Sequence, residues 1–524
     1  MSSKTSTVTL PISVSADKNV KNSVQTQFGG IRTEEAASGA DMVRGENFTS
    51  SNFPRLSTAH QKRFVSGRVT QGAQREVVAA DKIYVIEAAG IYVSENGQRT
   101  RCATLLQDSK KNVTVCGRDL FVLPDHIYYD GTSEEKKNMR ESTEEILVTL
   151  NGKTLTTDQA DLVEFGLRQG DGIIIATSPS GVTSYMFRGN YRVDTVSEST
   201  LNVDTDFPYT GTCIVTITRD MPLLDIAMSL GERVFGARGV MVYISEAGNI
   251  NNWNASSGLD SDPASLTSVT YGDFTACAEW NGYPIFFKEG AICKLMGNRA
   301  SNYSLIETSA PGIPKWAAKT LVSVGGALYY CNATGVYKYD GGYPRRIDIG
   351  AIAEGMRGTS AATDGEKYYL YGDGVLYVYD PRRDIWYTAS CGSIVSMSGR
   401  QGEVYMLEQA GNLFGFGNTV IGSEEYALPS EARFGYDDCG TADKKSLLSL
   451  SFSYLAETGT QFKVYVEFDE DGEEHLLAQY QGDGKWHTAT CTCPSNRCNG
   501  FRISLSIIGN VTLTSMTRKY RVIV

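Results

Sequence analysis

The alternation of apolar and polar positions repeats one unit along the chain: an aromatic-rich strand, a turn of three to six residues usually closed by Gly, and a second strand rich in Tyr or Val. It appears first as Ile83-Tyr84-Val85 turning at Gly90 into Ile91-Tyr92-Val93, then as Leu120-Phe121-Val122 followed by Ile127-Tyr128-Tyr129. Five further copies are centred on Phe235, Phe286, Tyr329, Tyr369 and Tyr405. Taking Tyr84, Phe121 and these five as anchors, the separations are 37, 114, 51, 43, 40 and 36. Residues 141–220 differ in texture, and excising those 80 residues reduces the anomalous interval to 34. The period then matches the ~40–50 residues of a four-stranded propeller blade. Lone hairpins cannot bury both faces, so such sheets must stack, and closing the circle removes exposed edges. The pattern predicts an all-β fold: a seven-bladed β-propeller with an inserted small β-barrel or β-roll and a C-terminal β-sandwich.

The insertion is read from an Asn151-Gly152 turn, the phrase from Phe165 to Asp171 leading into Ile173-Ile174-Ile175, and alternating runs at 185–193 and 214–217. Beyond residue 424 the period stops. Phe462, Val464, Val466 and Phe468 alternate with Lys463, Tyr465 and Glu467, a turn follows at 469–472, and alternation resumes from Phe501 to Leu505 and from Val511 to Val524. The expected division is an N-terminal arm with first strands (1–64), propeller (65–140), inserted domain (141–220), propeller (221–423) and sandwich (424–524).

Composition sharpens this picture. With 524 residues the chain exceeds one hydrophobic core. Its 29 Tyr and 53 Gly against 14 Pro suit short strands and tight turns. The net charge of −11 opposes a clamp that works by neutralising phosphates. The start of the chain lacks the basic head and apolar core of a secretory signal, and no run reaches the roughly 18 apolar residues of a membrane-spanning helix. The 11 cysteines, among them Cys102, Cys116, Cys277, Cys293, Cys331 and Cys391, sit mostly in strand-like runs and are expected to be reduced and buried, as in a cytosol. Asn-x-Ser/Thr triplets such as those at Asn47, Asn112 and Asn254 then carry no glycosylation argument.

Catalytic motifs are missing. There are four histidines, His60, His126, His475 and His487, and no nucleophile elbow, zincin helix, phosphate loop or dinucleotide fingerprint. Three constellations compete with bland readings. Cys491, Cys493 and Cys498, with His487 or Cys439, have the elements of a zinc site, though their spacing favours free thiols near a strand end. Asp469, Asp471 and Gly472 open like a calcium loop, but no Glu closes the pattern in register, which favours an acidic hairpin turn. Lys62, Arg63 and Arg68 read as a solvated connection, with a subunit or nucleic-acid contact as the alternative. The expectation is no cofactor, no metal and no enzyme. The enzymatic alternative is a carbohydrate-active propeller using Asp364 with Asp373 or Asp380, residues that turns explain equally well.

The run Tyr377-Val378-Tyr379-Asp380-Pro381 with Trp386 resembles the kelch phrase, in which Asp-Pro turns the chain and Trp packs between blades. More extensively, Phe28-Gly29-Gly30-Ile31-Arg32, Gly45-Glu46-Asn47-Phe48-Thr49-Ser50 and Phe53-Pro54-Arg55-Leu56-Ser57 resemble the opening of a β-propeller family encoded among the virion genes of tailed bacteriophages and prophages of gut Firmicutes. The match continues through Thr218-Arg219-Asp220-Met221-Pro222, Ile250-Asn251-Asn252-Trp253-Asn254, the stretch from Gly282 to Glu289, and Tyr339-Asp340-Gly341-Gly342-Tyr343-Pro344. This resemblance implies a virion tail part, made in the host bacterial cytoplasm and similar to the nozzle subunits of short-tailed phages. It implies a homo-oligomeric ring beside the portal, adaptor and other tail proteins, with phage DNA passing without specific binding. The alternative role is a tail-tip protein gripping host glycan through exposed Tyr and Trp.

Overall fold

In the computed structural model, residues 19–59, 62–69, 72–178, 186–400, 402–417 and 429–523 are described. The chain forms two compact units: residues 1–59, 385–389 and 427–524 in one, and 60–384 with 390–426 in the other. The only helical element among the described residues is a 3-10 turn at Lys315–Thr320; everything else regular is strand.

The larger unit is a succession of propeller-like antiparallel sheets. The first is Gln74–Ala79, Ile83–Glu87, Gly90–Glu95 and Gln98–Thr104; the second is Asn112–Cys116, Asp119–Leu123, Ile127–Tyr129 and Lys136–Asn138. The third runs from Ile226–Leu230 to Ala264–Thr267, the fourth from Ala276–Trp280 to Ser304–Ser309, and the fifth from Val322–Val324 to Arg345–Arg346. A sixth contributes Gly358–Thr363, Tyr368–Gly372 and Val375–Asp380. The seventh is Ile394–Arg400, Glu403–Glu408 and Leu413–Gly417, and its fourth strand is Arg63–Ser66 from the other end of the chain. Each recurring hairpin of the sequence is the middle pair of one sheet, and the anchors Tyr84, Phe121, Phe235, Phe286, Tyr329, Tyr369 and Tyr405 are all buried. Middle strands are covered on both faces, which is why they read as near-continuous apolar runs.

Residues 140–220 form the inserted domain. Its strands pair in the order Gly211–Asp220, Ile146–Asn151, Thr154–Thr156, Thr200–Val203, Arg188–Val196 and Gly172–Thr177, and the last pairs back to the first, so the sheet closes on itself. Alternate residues, Ile146, Val148 and Leu150 among them, point into a core with Leu155, Leu167 and Ile173. The barrel is tied to its host by Lys137 on Asp171 at 2.9 Å and by the Gly172 N–H donating to the Asn251 carbonyl at 3.2 Å. A Cβ at Gly172 would collide with Asn252, so only glycine lets the barrel approach there.

The smaller unit differs from the expected C-terminal domain, because the N-terminal arm is part of it. Val20–Gln25 pairs with Val511–Ile523, Leu56–Thr58 pairs with the same long strand, and Met42–Glu46 pairs with Pro429–Phe434. Two sheets enclose one core that includes Phe28, Phe434, Phe452, Phe462 and Met516. Buried Arg518 fixes the arm, reaching Asp437 at 3.1 Å, Gln25 at 2.8 Å and the Gly39 carbonyl at 2.7 Å. The expected boundary at 64/65 falls inside strand Arg63–Ser66, and that at 424 lies outside the described residues. Trp386, expected between blades, stands on Ile385–Ala389 in the smaller unit, where its carbonyl accepts the Ile31 N–H at 2.7 Å.

Closure of the larger unit rests on Arg99. Its guanidinium is fully buried against the equally buried Glu87, and it donates to the Ser66 hydroxyl at 3.0 Å and the Gly411 carbonyl at 2.8 Å. One cation thus joins the first sheet, the closing strand and the last hairpin. Replacing it strands a buried carboxylate, so Arg99→Met is expected to cost about 3–5 kcal/mol in urea unfolding. The double variant Arg99→Met/Glu87→Leu should recover most of that loss, since an apolar pair of similar volume leaves no charge behind; an Arg99→Met chain as stable as wild type would show that the tie does not matter.

Candidate functional site

The first strands of six sheets, together with the Lys315–Thr320 turn and Leu321 leading into the fifth, line one central cavity of about 370 Å³. Lys319 projects into it and forms an ion pair with Glu76 of the first sheet, whose other oxygen accepts the Ser396 hydroxyl of the seventh at 3.0 Å. Burial pushes the Lys319 ammonium down to about 8.

Hydroxyls at and beside the lining bridge neighbouring sheets. The Val77 N–H donates to the Ser396 hydroxyl at 3.2 Å, the Ala79 N–H to Ser398 at 2.9 Å and the Met397 N–H to Ser360 at 3.0 Å. The Thr114 hydroxyl donates to the Ala227 carbonyl at 2.7 Å. First strands of adjacent sheets do not form a ladder, so their inward backbone groups need side-chain partners. The hydroxyls supply them. Sequence reading missed these residues; the available signal was the run of small and hydroxyl residues in inner strands such as Gly358–Thr363.

The sequence candidates disperse. Asp364 and Asp380 lie at one end of the sixth sheet and Asp373 at the other, five strand residues or roughly 17 Å away, beyond the spacing of a glycosidase pair. Each is bound to a turn: Asp364 accepts the Glu366 and Lys367 N–H groups at 2.8 and 2.7 Å, Asp373 the Arg357 N–H at 3.0 Å, and Asp380 the Arg382 N–H at 3.0 Å. Among the described residues no three His, Cys, Asp or Glu side chains gather as metal ligands. Cys491 and Cys498 are buried in the smaller unit's core and donate to the Leu450 and Lys445 carbonyls, each at 3.6 Å. Burial raises the thiols of Cys439 and Cys493 to about 12 and that of Cys498 to about 11. All eleven cysteines are free. The acidic turn is structural too, with Asp469 accepting the Asn499 N–H at 2.5 Å.

Lys62 and Arg63 have structural employment, which corrects the reading of them as a solvated connection, while Arg68 is exposed as that reading expects. Lys62 pairs with Glu408 at 3.0 Å, Arg63 holds both oxygens of Glu403 at 2.6 and 2.8 Å, and Arg68 donates to the Gly72 carbonyl at 2.7 Å. The first two contacts fasten the closing strand to the seventh sheet. His126 is buried, its Nδ1 2.7 Å from the Pro124 carbonyl and its Nε2 accepting the Leu224 N–H at 3.1 Å; burial lowers its pKa and keeps it neutral. His487 pairs with Asp483 at 2.8 Å, and His60 lies outside the described residues.

The most exposed apolar feature is the loop 268–272 between the third and fourth sheets, where Tyr271 is 99% exposed and Val269 91%. The loop is fixed. Glu307 accepts the Ser268 hydroxyl at 2.8 Å, the N–H groups of Val269 and Thr270 at 2.9 Å each, and the Thr270 hydroxyl, while Lys288 donates to the Thr270 carbonyl at 2.6 Å.

No protein-family model and no curated protein matches this sequence. Solved structures do. Virginiamycin B lyase from Staphylococcus aureus, in a catalytically inactive form with quinupristin, matches at 7% identity and a TM-score of 0.38 over 68% of this chain and 100% of its own. The selenomethionine form of the same lyase matches at 8% and 0.38 over 68% and 99%. BamB from Moraxella catarrhalis matches at 11% and 0.35 over 68% and 100%. No helix among the described residues is long and apolar enough to cross a membrane.

Burial pushes the Glu307 carboxylate up, but the four loop hydrogen bonds outweigh it and bring the pKa from 4.5 to about 2. The unfolded chain therefore binds the proton first on acidification, and the stabilisation is complete above pH 4.5 and lost as pH falls toward 2. Glu307→Gln should lose about 1–3 kcal/mol at pH 7. In thermal unfolding followed across pH, the gap between wild type and variant should narrow over that acidic window.

Proposed function

We propose that this chain is a structural component of a bacteriophage tail, a nozzle or adaptor-proximal subunit that forms a homo-oligomeric ring around the DNA exit path. In this reading the larger unit is a seven-bladed propeller closed by Arg63–Ser66, carrying the inserted barrel, and the smaller unit is a β-sandwich built from both chain ends. The seven-fold lining of one cavity supports the blade count. The role is non-enzymatic: the cavity's charged pair is locked on itself, its hydroxyls bridge strands, and the candidate carboxylates cap turns. The virion, with synthesis in the host bacterial cytoplasm, is the proposed location. The portal, the adaptor and other tail proteins are the proposed neighbours. The sequence phrases at 28–57 and 218–344 point to the virion, and the net charge of −11 suits a wall that does not retain passing DNA.

The observation that carries the assembly is the clamped loop. Glu307 and Lys288 fix the backbone at 268–270 directly before the solvated Tyr271, which lowers the ordering cost of docking this loop. Cryo-electron microscopy of virions should find the chain in a tail ring, and mass photometry of the recombinant protein should find discrete oligomers. Tyr271→Ser combined with Val269→Ser should shift those oligomers to monomer by at least tenfold in concentration while leaving circular dichroism unchanged. A wild-type chain that is monomeric and missing from the particle would overturn the proposal.

A further inference from the structure

The smaller unit carries a polar trough that the assembly role does not use. On the sheet formed by Met42–Glu46, Pro429–Phe434, Phe501–Ile508 and Gln461–Phe468, the core-facing residues alternate with an outward set. In register across three strands, Glu431 stands beside Ser506 and Ser506 beside Lys463; two residues along, Arg433 stands beside Ser504 and Ser504 beside Tyr465. The middle strand bears only serines where both flanking strands bear long side chains. The result is a trough two strand spacings wide, roughly 9.5 Å, running along the strand direction. Its volume of about 620 Å³ lies within the roughly 300–1,000 Å³ of small-molecule sites.

The lining is chemically unfinished. Neither the Ser506 hydroxyl nor the Tyr465 hydroxyl makes a hydrogen bond among the described residues, and Arg433 Nε is buried without a partner. The charges are already balanced internally: Arg433 is spent on Glu467 at 2.7 Å, Arg44 on Glu46 and Glu431 at 2.8 and 3.1 Å, and Ser504 donates to Glu474 at 2.7 Å. With Lys463 on the flanking strand, three cations face three carboxylates, Glu34, Glu431 and Glu474, so the site offers no net attraction to a polyanion. What remains are acceptor oxygens, hydroxyls that both donate and accept, and the ring of Tyr465 on one wall. That set matches a ligand dense in uncharged hydroxyls with an apolar ring face.

We propose that this trough binds a neutral hexose oligosaccharide, laid along the serines of Phe501–Ile508 with a sugar face against Tyr465 and its hydroxyls bonded to Ser506, Glu431 and Glu474. The site stands on the smaller unit alone and does not rest on ring assembly.

Isothermal titration of the full chain with a panel of neutral oligosaccharides, including maltoheptaose, cellohexaose and mannohexaose, tests it, with heparin hexasaccharide and hexalysine as charged probes. At least one neutral probe should bind with Kd of about 1 mM or tighter. Tyr465→Ala, which removes the stacking face, and Ser506→Phe, which fills the trough from a solvent-facing position, should each weaken that binding at least tenfold. Both variants should keep the wild-type melting temperature within a few degrees and the wild-type oligomer. Failure of every neutral probe, binding confined to a charged probe, or unchanged binding in both variants would overturn the assignment.

Discussion

The requirement that a succession of small sheets close on itself governs this structure. Each sheet of the larger unit has two apolar faces and a first strand whose inner edge lacks a ladder partner. Stacking covers the faces of interior members, but a first and a last sheet would remain half bare. The chain meets this by bringing Arg63–Ser66, from before the first sheet, to complete the seventh. Arg63 on Glu403 and Lys62 on Glu408 fasten the incoming strand, and Arg99 locks it to the first sheet with Glu87 neutralising the buried charge. Such a pair adds little net stability over an apolar substitute, so its value is in register: only one alignment of the strand brings Ser66 under Arg99.

Closure also explains the character of the central cavity. In a ring the innermost strands converge, and small side chains keep them from colliding. The same strands leave inward N–H and carbonyl groups that Ser360, Ser396, Ser398 and Thr114 satisfy. Polarity in the cavity is therefore the consequence of geometry, and the Lys319–Glu76 pair spans it between the fifth and first sheets as one more cross-tie. The outer face of the smaller unit is the opposite case, with Ser506 and Tyr465 left over once the local ion pairs are made.

The sequence made legible what is buried on both sides. The middle hairpins of the sheets stand out because Tyr84, Phe286 or Tyr369 is surrounded by apolar neighbours, and the inserted barrel because Ile146 to Leu150 alternates cleanly. Inner strands, written as Gly-Thr-Ser-Ala-Ala-Thr at Gly358–Thr363, and outer strands, such as Lys136–Asn138, lack that contrast and read as loops. Long-range pairing was illegible for a different reason. Nothing local in Val20–Gln25 or Arg63–Ser66 announces a partner more than three hundred residues away. The candidate ligands misled because Asp, Cys and cationic side chains cap turns, fill cores and fasten strands with the same groups that bind metals or substrates, and spacing along the chain does not separate the uses. The barrel's dock was half visible: the Asn251-Asn252 phrase stood out as texture, but its purpose, receiving Gly172, needed the fold.

The smaller unit depends on both ends of the chain, and the larger on strands far apart within 60–426. The smaller one is assembled from 1–59, from 385–389 and from 427–524, so its core waits for the last hundred residues, and the chain crosses into it for the five residues around Trp386 before returning. The larger one waits for Leu413–Gly417 before Arg63–Ser66 has a partner. Pairings of such sequence separation bear the full loop-closure entropy before they return any stabilisation, which makes folding slow and late relative to synthesis. Hairpins within each sheet and the closed barrel, by contrast, are built from local contacts with little closure entropy to overcome. The eleven cysteines stand largely within strands and cores, and burial raises the thiol pKa wherever a shift is seen. The same topology means that trimming either end takes a strand from the smaller unit and leaves its distant partner unpaired, so that unit is no contiguous fragment of this sequence.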